Sequence, residues 1–238
     1  MKSPVKSPIV SPIGRRLGAV LLLVIAVMIL PAGASQPSQD EDLDQRVQAF
    51  LEQNRRAWRD MNVPAADGQK LYDLIVENDY TRALEIGTST GHSSIWIAWA
   101  LSKTGGKLIT IELDERRYRE AVANFEEAGL SEYIDARLAD AHELVPELEG
   151  PFDFVFSDAD KGWYKNYYIA VLPKLEVGGC FAAHNVSAPR GSSGGGRRRG
   201  SSGNSDFVQE LLATPGMETD FFTSGGGLSV SFKREGGS

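Results

Sequence analysis

The sequence predicts an α/β fold in which helices cover both faces of a mainly parallel sheet. Beyond residue 80, short apolar segments alternate with helix-like segments, as in successive β-α units. Near the carboxyl end, two β-prone runs flank the tetrapeptide SGGG at 224–227, which indicates a hairpin and therefore an antiparallel last strand. The length of 238 residues and a composition of 42% hydrophobic and 24% charged residues fit one domain with a full hydrophobic core.

Apolar periodicity and helix-ending residues define the individual elements. Two amphipathic helices are predicted first, over 44–58 and 67–77. The predicted strands are then 82–86, 107–113, 134–138, 152–157 and 179–183, and the predicted helices between them are 92–102, 115–128, 141–148 and 163–172. Asp114 is placed to cap the amino end of the helix over 115–128, and Gly129 follows its carboxyl end. The final hairpin is predicted over 217–223 and 228–233.

Residues 1–34 have the pattern of an export signal. Four basic residues precede an uninterrupted apolar run over 17–30, and Ala32-Gly33-Ala34 follows as a small-residue cleavage pattern. This pattern predicts a signal peptide, or a membrane anchor if it is not cleaved. The domain is then expected outside the cytoplasm, whether periplasmic, secreted or tethered to the membrane; it is expected in the cytoplasm if the segment does not act as a signal. Residues 35–42 are interpreted as a linker and 43–235 as the folded domain.

Charge and cysteine content narrow the classes of function. The chain has 25 basic and 32 acidic residues; without the four basic residues of 1–34, 25 − 4 = 21 remain against 32, a net charge of −11. A domain this acidic is not expected to bind nucleic acid. Cys180 is the only cysteine, so an internal disulfide is excluded, and its apolar neighbours predict a buried thiol. Residues 188–205, rich in Gly, Ser and Arg, are predicted to form a flexible loop.

The turn over 87–91, GTSTG, lies between the first strand and the next helix and is open to three interpretations. As G-x-S-x-G, it is typical of a hydrolase nucleophile, with Ser89, Asp158 or Asp160, and His184 in triad order. No earlier strand of the alternation and no upstream oxyanion loop accompany it, which weighs against a hydrolase. A dinucleotide site is disfavoured because the turn is not G-x-G-x-x-G.

The third interpretation is a site for a positively charged cofactor without phosphate. Gly87 and Gly91 permit close approach of a ligand, and the helix amino end with the Ser93 hydroxyl can hold a carboxylate. Glu112, at the end of the second strand, can accept both hydroxyls of a ribose. Glu85 would repel a phosphate and suit a cation. S-adenosylmethionine, which carries an ammonium and a sulfonium, meets these requirements.

Five motifs also occur in the order expected of one enzyme family. They are E-I-G-x-x-x-G-x-S at 85–93, T-I-E at 110–112, D-A-D-K-x-x-Y at 158–164, L-P-x-L-x-x-G-G at 172–179 and the closing G-G-L-S-V-S-F-K. Together they resemble the cation-dependent class I O-methyltransferases, which include catechol and caffeoyl-coenzyme A O-methyltransferases. The resemblance covers about 44–233. It implies a Rossmann-like, doubly wound sheet of seven strands with an antiparallel last strand, and S-adenosylmethionine as the methyl donor.

The resemblance also implies roles for individual residues. The residues implied to line the S-adenosylmethionine site are Val63, Glu85, Gly87, Thr88, Ser93, Glu112, Ala141 and Asp160. The implied metal ligands are Asp158, His184 and Asn185, and the implied general base is Lys161. His184 departs from the family, which has Asp at this position. Three hypotheses follow: a softer transition metal replaces Mg²⁺, Mg²⁺ binds weakly, or the site is metal-free and His184 is itself the base.

The expected function is therefore transfer of a methyl group from S-adenosylmethionine to a hydroxyl of a small acceptor such as a catechol. Two alternatives remain open: an exported esterase with Ser89 as nucleophile, and a module that binds S-adenosylmethionine without turnover. A homodimer is expected by analogy with relatives. Because residues 188–205 replace the family's loop after the Asp-Asn position, the acceptor cannot be carried over from the family.

Overall fold

The computed structural model is organised around a seven-stranded sheet within the residues that it describes, which are 39–58, 61–189 and 204–236. The strands are β1 (Arg82–Ile86), β2 (Lys107–Glu112), β3 (Ile134–Leu138), β4 (Phe152–Ser157), β5 (Leu175–His184), β6 (Met217–Phe222) and β7 (Leu228–Lys233). Their order is β3-β2-β1-β4-β5-β7-β6. Strand β7 is antiparallel to both of its neighbours, and β1 to β5 pair in parallel. The predicted fold class is confirmed.

Seven α-helices accompany the strands in this part of the chain. They are α1 (Gln39–Gln53), α2 (Ala65–Asn78), α3 (His92–Thr104), α4 (Glu115–Ala128), α5 (Ala141–Glu147), α6 (Tyr164–Val171) and α7 (Ser205–Ala213). As predicted, Asp114 caps α4 by accepting from the Arg117 amide, and Gly129 ends the helix in the left-handed conformation.

Several elements differ from the predictions by one or two residues at an end, and the larger differences involve α1, β5 and α7; α1 ends at Gln53, five residues before the predicted end at 58. Helix α1 begins at Gln39, inside the predicted linker 35–42, because its acidic first turn suits the positive amino end of a helix. Strand β5 begins at Leu175, four residues earlier than expected, and includes the Gly178-Gly179 pair. Helix α7 was not predicted, and it begins at the last residue of the loop predicted over 188–205.

Two predicted segments lie largely or wholly outside the described residues. The signal or anchor segment 1–34 is one, and 190–203 of the predicted loop is the other. Residues Pro37–Ser238 form a compact unit. Among the described residues, no helix is both long and apolar enough to cross a membrane.

Two apolar clusters cover the two faces of the sheet, and the parallel pairing of β1 to β5 aligns the strand ends. On one face, Phe154 and Phe156 of β4 pack with Leu71 and Ile75 of α2; on the other, Val155 packs with side chains from α5, α6 and α7. Cys180 is fully buried, as predicted, and burial raises the pKa of its thiol to about 12. The carboxyl ends of the parallel strands consequently meet at one edge of the sheet, where open α/β sheets bind ligands.

Candidate active site

A cleft of about 570 Å³ opens at this edge of the sheet. Its walls come from the segments that follow β1, β2, β3 and β4, from the end of β5 and from the residues before α2. The predicted site residues in the lining are Gly87, Glu112, Ala141, Asp158, Asp160, Lys161, His184 and Asn185. The structure therefore brings together the predicted base, the predicted metal ligands and half of the predicted cofactor residues.

The other predicted cofactor residues lie behind the lining. Val63, Glu85, Thr88 and Ser93 are each at most 5% exposed. They support the turn: the Val63 carbonyl accepts from His92 Nδ1 at 2.8 Å, and Thr88 Oγ1 lies 2.5 Å from Thr110 Oγ1. Their contact with a cofactor remains a prediction.

Glu112 is the carboxylate that faces the cleft from the end of β2. Its Oε2 accepts from the Ser89 amide at 2.7 Å, and its Oε1 accepts from the amides of Leu113 and Asp114 at 3.0 and 2.9 Å. These bonds hold Ser89 in the left-handed region, with φ of 52°. They also fix the orientation of the carboxylate, which can accept further hydrogen bonds from ligand hydroxyls.

Glu85 is a buried carboxylate beneath the turn. It accepts hydrogen bonds from the Ser94 and Thr110 hydroxyls, and its Oε1 is buried with no hydrogen-bond partner. Burial, helped by the charge of Asp158, raises the pKa of Glu85 to about 7 despite the lowering effect of the hydroxyl hydrogen bonds. An orphaned acceptor at this depth fits a nearby cationic ligand group.

His142 and Asp160 link two walls of the cleft. His142 Nε2 lies 2.7 Å from Asp160 Oδ2, and the imidazole packs against Trp163 with ring centroids 4.3 Å apart. Asp140 caps the amino end of α5, and its side chain accepts from the His142 amide at 2.8 Å. The amino end of α5 and the segment after β4 therefore form one wall with an aromatic surface.

Lys161 lies in the cleft beside Asp158. Its Nζ donates to Asp158 Oδ1 at 2.5 Å and to the Tyr164 hydroxyl at 2.8 Å. Tyr164 is fully buried, and its hydroxyl lies 3.1 Å from the His184 carbonyl. Burial and the charge of Asp158 hold the pKa of Tyr164 well above its ordinary value, so Tyr164 stays protonated. Its hydroxyl accepts from Lys161 Nζ and donates to the His184 carbonyl.

His184 is held between two carboxylates. Its Nδ1 lies 3.0 Å from Asp158 Oδ2, and its Nε2 lies 3.0 Å from Asp67 Oδ2. Burial lowers the pKa of the imidazole, but the hydrogen bonds and charges of Asp158 and Asp67 outweigh this effect and raise the pKa above its ordinary value. The two carboxylates therefore favour the protonated form of His184.

This arrangement does not fit a divalent cation. Both His184 nitrogens are bonded to carboxylates, and the two Asp158 oxygens are bonded to His184 and Lys161, so two of the three implied ligands are already engaged. In the part of the chain that the structure describes, no three His, Cys, Asp or Glu side chains form a group that could hold a metal. His184 also lacks a free lone pair with which to act as a base, so the prediction of His184 as base disagrees with the geometry.

The esterase alternative receives no support from this geometry. Asp158 and Asp67 take the two ring nitrogens of His184, so neither nitrogen remains to accept a proton from Ser89. Ser89 instead stabilises the turn through its backbone amide, which donates to Glu112 Oε2.

Sequence reasoning missed several residues of the site. The most important is Asp67 of α2, which is 3% exposed. Its sequence signal is its place on the stripe of Leu71 and Leu74, because a carboxylate on an apolar helix face needs a buried partner. The remaining lining residues outside the predicted set are Met61, Asn62, Ser89, Ile111, Leu113, Arg117, Ala139, Asp140, His142, Ala159 and Tyr167.

Comparison with known proteins identifies the family. A profile described as O-methyltransferase matches residues 35–190, about two thirds of the chain. The chain belongs to the O-methyltransferase family. This membership agrees with the five motifs and gives no support to a dinucleotide enzyme.

Individual O-methyltransferases are similar over part of the chain. A catechol O-methyltransferase from Niastella koreensis is 40% identical over 107 residues, which are 43% of this chain and 48% of that protein. A flavonoid 3',5'-methyltransferase from Vitis vinifera is 31% identical over 159 residues, which are 64% of this chain and 67% of that protein. The matched region thus spans about half to two thirds of the length of these curated relatives.

Solved structures share the fold. The crystal structure of the cofactor-bound protein Rv0187 from MTB has a TM-score of 0.67 and 26% identity, and covers 84% of this chain and 100% of that one. An O-methyltransferase from Bacillus cereus in complex with SAH has a TM-score of 0.65 and 24% identity, and covers 80% and 91% of the two chains.

Proposed function

We propose that this chain transfers a methyl group from S-adenosylmethionine to a phenolic hydroxyl of a small acceptor. One observation carries the proposal. A single cleft contains, on one side, a ribose-competent carboxylate, Glu112, and on the other an amine, Lys161, held by Asp158 and Tyr164. Such a cleft places a donor and a proton acceptor side by side, as methyl transfer to oxygen requires.

The cleft suits the charge of the donor. Four carboxylates line it: Glu112, Asp140, Asp158 and Asp160. S-adenosylmethionine supplies an electrophilic methyl on a positively charged sulfur and carries no phosphate, so a lining rich in carboxylates favours it over a nucleotide. Glu112 receives the ribose hydroxyls, and the aromatic wall at His142 packs against the flat adenine ring.

Lys161 is the residue that removes the acceptor proton. Asp158 and Tyr164 hold its Nζ in the cleft. Lys161 acts as the base after its ammonium has released a proton to solvent; the neutral amine takes the acceptor proton, and the restored ammonium keeps both hydrogen bonds. The rest of the catalysis is alignment of the acceptor oxygen with the methyl group inside a walled cleft, which is worth up to several kcal/mol.

The acidity of the acceptor hydroxyl narrows the class of acceptor. A phenol has an ordinary pKa of about 10, so an amine can remove its proton without a Lewis acid. An aliphatic alcohol is far less acidic and would need a Lewis acid, for which His184 and Asp158 offer no free ligand atom. The names of the relatives from Niastella koreensis and Vitis vinifera, a catechol and a flavonoid methyltransferase, are consistent with a phenolic acceptor.

The experiment is methyl transfer to catechol by the purified chain, followed by mass spectrometry, with calorimetry of S-adenosylmethionine binding in parallel. Lys161→Ala should abolish transfer and leave donor binding within about twofold. The matched control is Lys165→Ala, whose amine pairs with Glu210 on an exposed face. Donor binding without transfer to any of a panel of phenols would favour the non-catalytic binding module. Unchanged turnover in Lys161→Ala would remove Lys161 from the mechanism.

We also propose that residues 1–34 direct export or tether the domain to a membrane, with the domain outside the cytoplasm. The basic start, apolar run and small-residue pattern support this location. Fractionation of cells that express the full chain, compared with a chain whose apolar run carries two charged substitutions, tests it. A cytoplasmic pool that is equal in both would contradict it.

The homodimer stays a prediction, which sedimentation of the purified chain can test.

A further inference from the structure

A four-residue charge cluster lies where the family resemblance implies a metal. It consists of Asp67, His184, Asp158 and Lys161, in this order of contact. Asp67 is 4% and His184 5% exposed in their side chains, and Asp158 is 11% exposed. The cluster joins the first turn of α2, the end of β5 and the segment after β4.

The direction of the hydrogen bonds assigns the hydrogens of the imidazole. Asp67 Oδ2 already accepts from the Gly226 amide at 2.7 Å, so it also acts as acceptor toward His184 Nε2. Asp158 Oδ2 is a carboxylate oxygen, and the other oxygen of the same group accepts from Lys161. Both ring nitrogens therefore carry hydrogen, and a doubly protonated ring has no lone pair for a metal.

The hairpin between β6 and β7 closes the cluster from above. A Cβ placed on Gly226 would lie 2.3 Å from His184 Nε2, and one on Gly225 would lie 2.2 Å from Asp67 Oδ1. Only backbone without side chains fits here, so the glycine run serves close approach as well as the turn. No space for a cation remains between the hairpin and the imidazole.

The charges of the cluster are balanced without a metal. Asp67 and Asp158 contribute two negative charges, and the His184 imidazolium and Lys161 ammonium contribute two positive ones. A divalent cation would have to displace His184 from two buried carboxylates, and leaving a buried charge unpaired is strongly destabilising.

We infer that the His184 side chain, held between Asp67 and Asp158 and covered by the Gly226 backbone, takes the place of the family's divalent cation, and that Asp67 is the positioning residue that holds it there. The site then binds no divalent metal, and the His184 ring anchors Asp158 beside Lys161. The consequence for methyl transfer rests on the proposed function, but the metal-binding statement does not. Failure of one can therefore be distinguished from failure of the other.

Binding of Mn²⁺, measured by electron paramagnetic resonance on the purified full chain, tests the inference without turnover. The wild type should bind no Mn²⁺ in the millimolar range. His184→Asp supplies the family's carboxylate beside Asp158 and Asn185. Its dissociation constant for Mn²⁺ should be at least about tenfold below the highest concentration at which the wild type shows no binding. The matched control His184→Asn removes the ring without adding a carboxylate and should remain without Mn²⁺.

The role of Asp67 has its own spectroscopic readout. In the wild type, nitrogen NMR of labelled histidine should show hydrogen on both nitrogens of His184 at neutral pH. Asp67→Asn keeps the shape of the side chain and should leave Nε2 without its hydrogen, an effect that a purely structural role would not produce.

Specific outcomes would overturn the inference. Stoichiometric Mn²⁺ binding by the wild type that Asp158→Ala abolishes is one, and the same result with Zn²⁺ or Ni²⁺ by calorimetry is another. If His184→Asp does not fold, the wild-type titrations decide alone. If methyl transfer is observed, its rate should be unchanged by a chelator, and loss of activity that added metal restores would also overturn the inference.

Discussion

Asp67 and His184 lie 117 positions apart in the chain, yet Asp67 Oδ2 and His184 Nε2 are 3.0 Å apart in the buried base of the cleft. This contact fastens the first turn of α2 to the end of β5. Through the Gly226 amide, it also fastens the β6–β7 hairpin to the same point. The strand end that carries His184 is thereby tied to two other elements, and His184 in turn contacts Asp158, to which Lys161 donates.

The pH dependence of stability should report this ion-pair cluster. The folded pKa of His184 lies above its ordinary value of about 6.5, so its contribution is full below that pH and is lost as the pH rises through the folded pKa. Urea unfolding from about pH 6 to about pH 9 should show a free energy of unfolding that declines with pH. His184→Gln should reduce stability by about 3 kcal/mol at the acidic end and flatten the decline. Parallel pH profiles for wild type and variant would contradict the assignment.

Gly226→Ala should destabilise the protein through a direct steric clash. The new methyl would lie 2.3 Å from His184 Nε2 and 3.2 Å from Asp67 Oδ2, and both side chains are buried and bonded. We expect a loss of about 1–3 kcal/mol in urea unfolding. Gly162→Ala is the control, because a Cβ there meets nothing within 4 Å. Equal stability of the two variants would show that the hairpin moves freely away from the cluster.

Glu112→Gln should weaken binding of S-adenosylmethionine by about tenfold or more. Glutamine keeps the shape of the side chain but loses the charge that strengthens hydrogen bonds to the ribose hydroxyls. Calorimetry gives the dissociation constant. Glu115→Gln, the same change at a side chain that is 62% exposed on α4, should bind like the wild type. Unchanged affinity in Glu112→Gln would move the ribose away from the end of β2.

Glu85→Gln should stabilise the ligand-free protein above neutral pH. Because burial raises the folded pKa of Glu85 from 4.5 to about 7, the native state keeps the Glu85 proton up to a higher pH than the unfolded chain does. Wild-type stability therefore falls as the pH rises between these values, by an amount on the order of 3 kcal/mol. An uncharged glutamine lacks this penalty, so the difference in unfolding free energy should grow from about pH 5 to about pH 7. A constant difference would indicate that Glu85 is ionised throughout.

The positions of the strands along the chain were predictable because local patterns define them. Alternating apolar runs, the Asp114 cap and the SGGG turn are each read within a few residues. The level strand ends then follow from parallel pairing, which places Gly87 and Glu112 at one edge, while the family resemblance implied that Asp158 and His184 belong to the same site.

Two features were beyond local patterns. The apolar residues Phe207, Val208 and Leu211 of α7 have helical spacing, but they directly follow a low-complexity segment that concealed the helix. The partners of His184 depend on which helix packs over β5, and no local pattern specifies a contact across 117 positions. Sequence reasoning therefore predicted that His184 departs from the family but not that two carboxylates already hold it.

The most direct test of the central claim is calorimetric titration of S-adenosylmethionine into the purified full-length chain, in the presence of a chelator. We predict saturable one-to-one binding that needs no added metal and that Glu112→Gln weakens. No measurable binding of the donor or of its demethylated product at millimolar concentration would contradict the assignment of this cleft to methyl transfer.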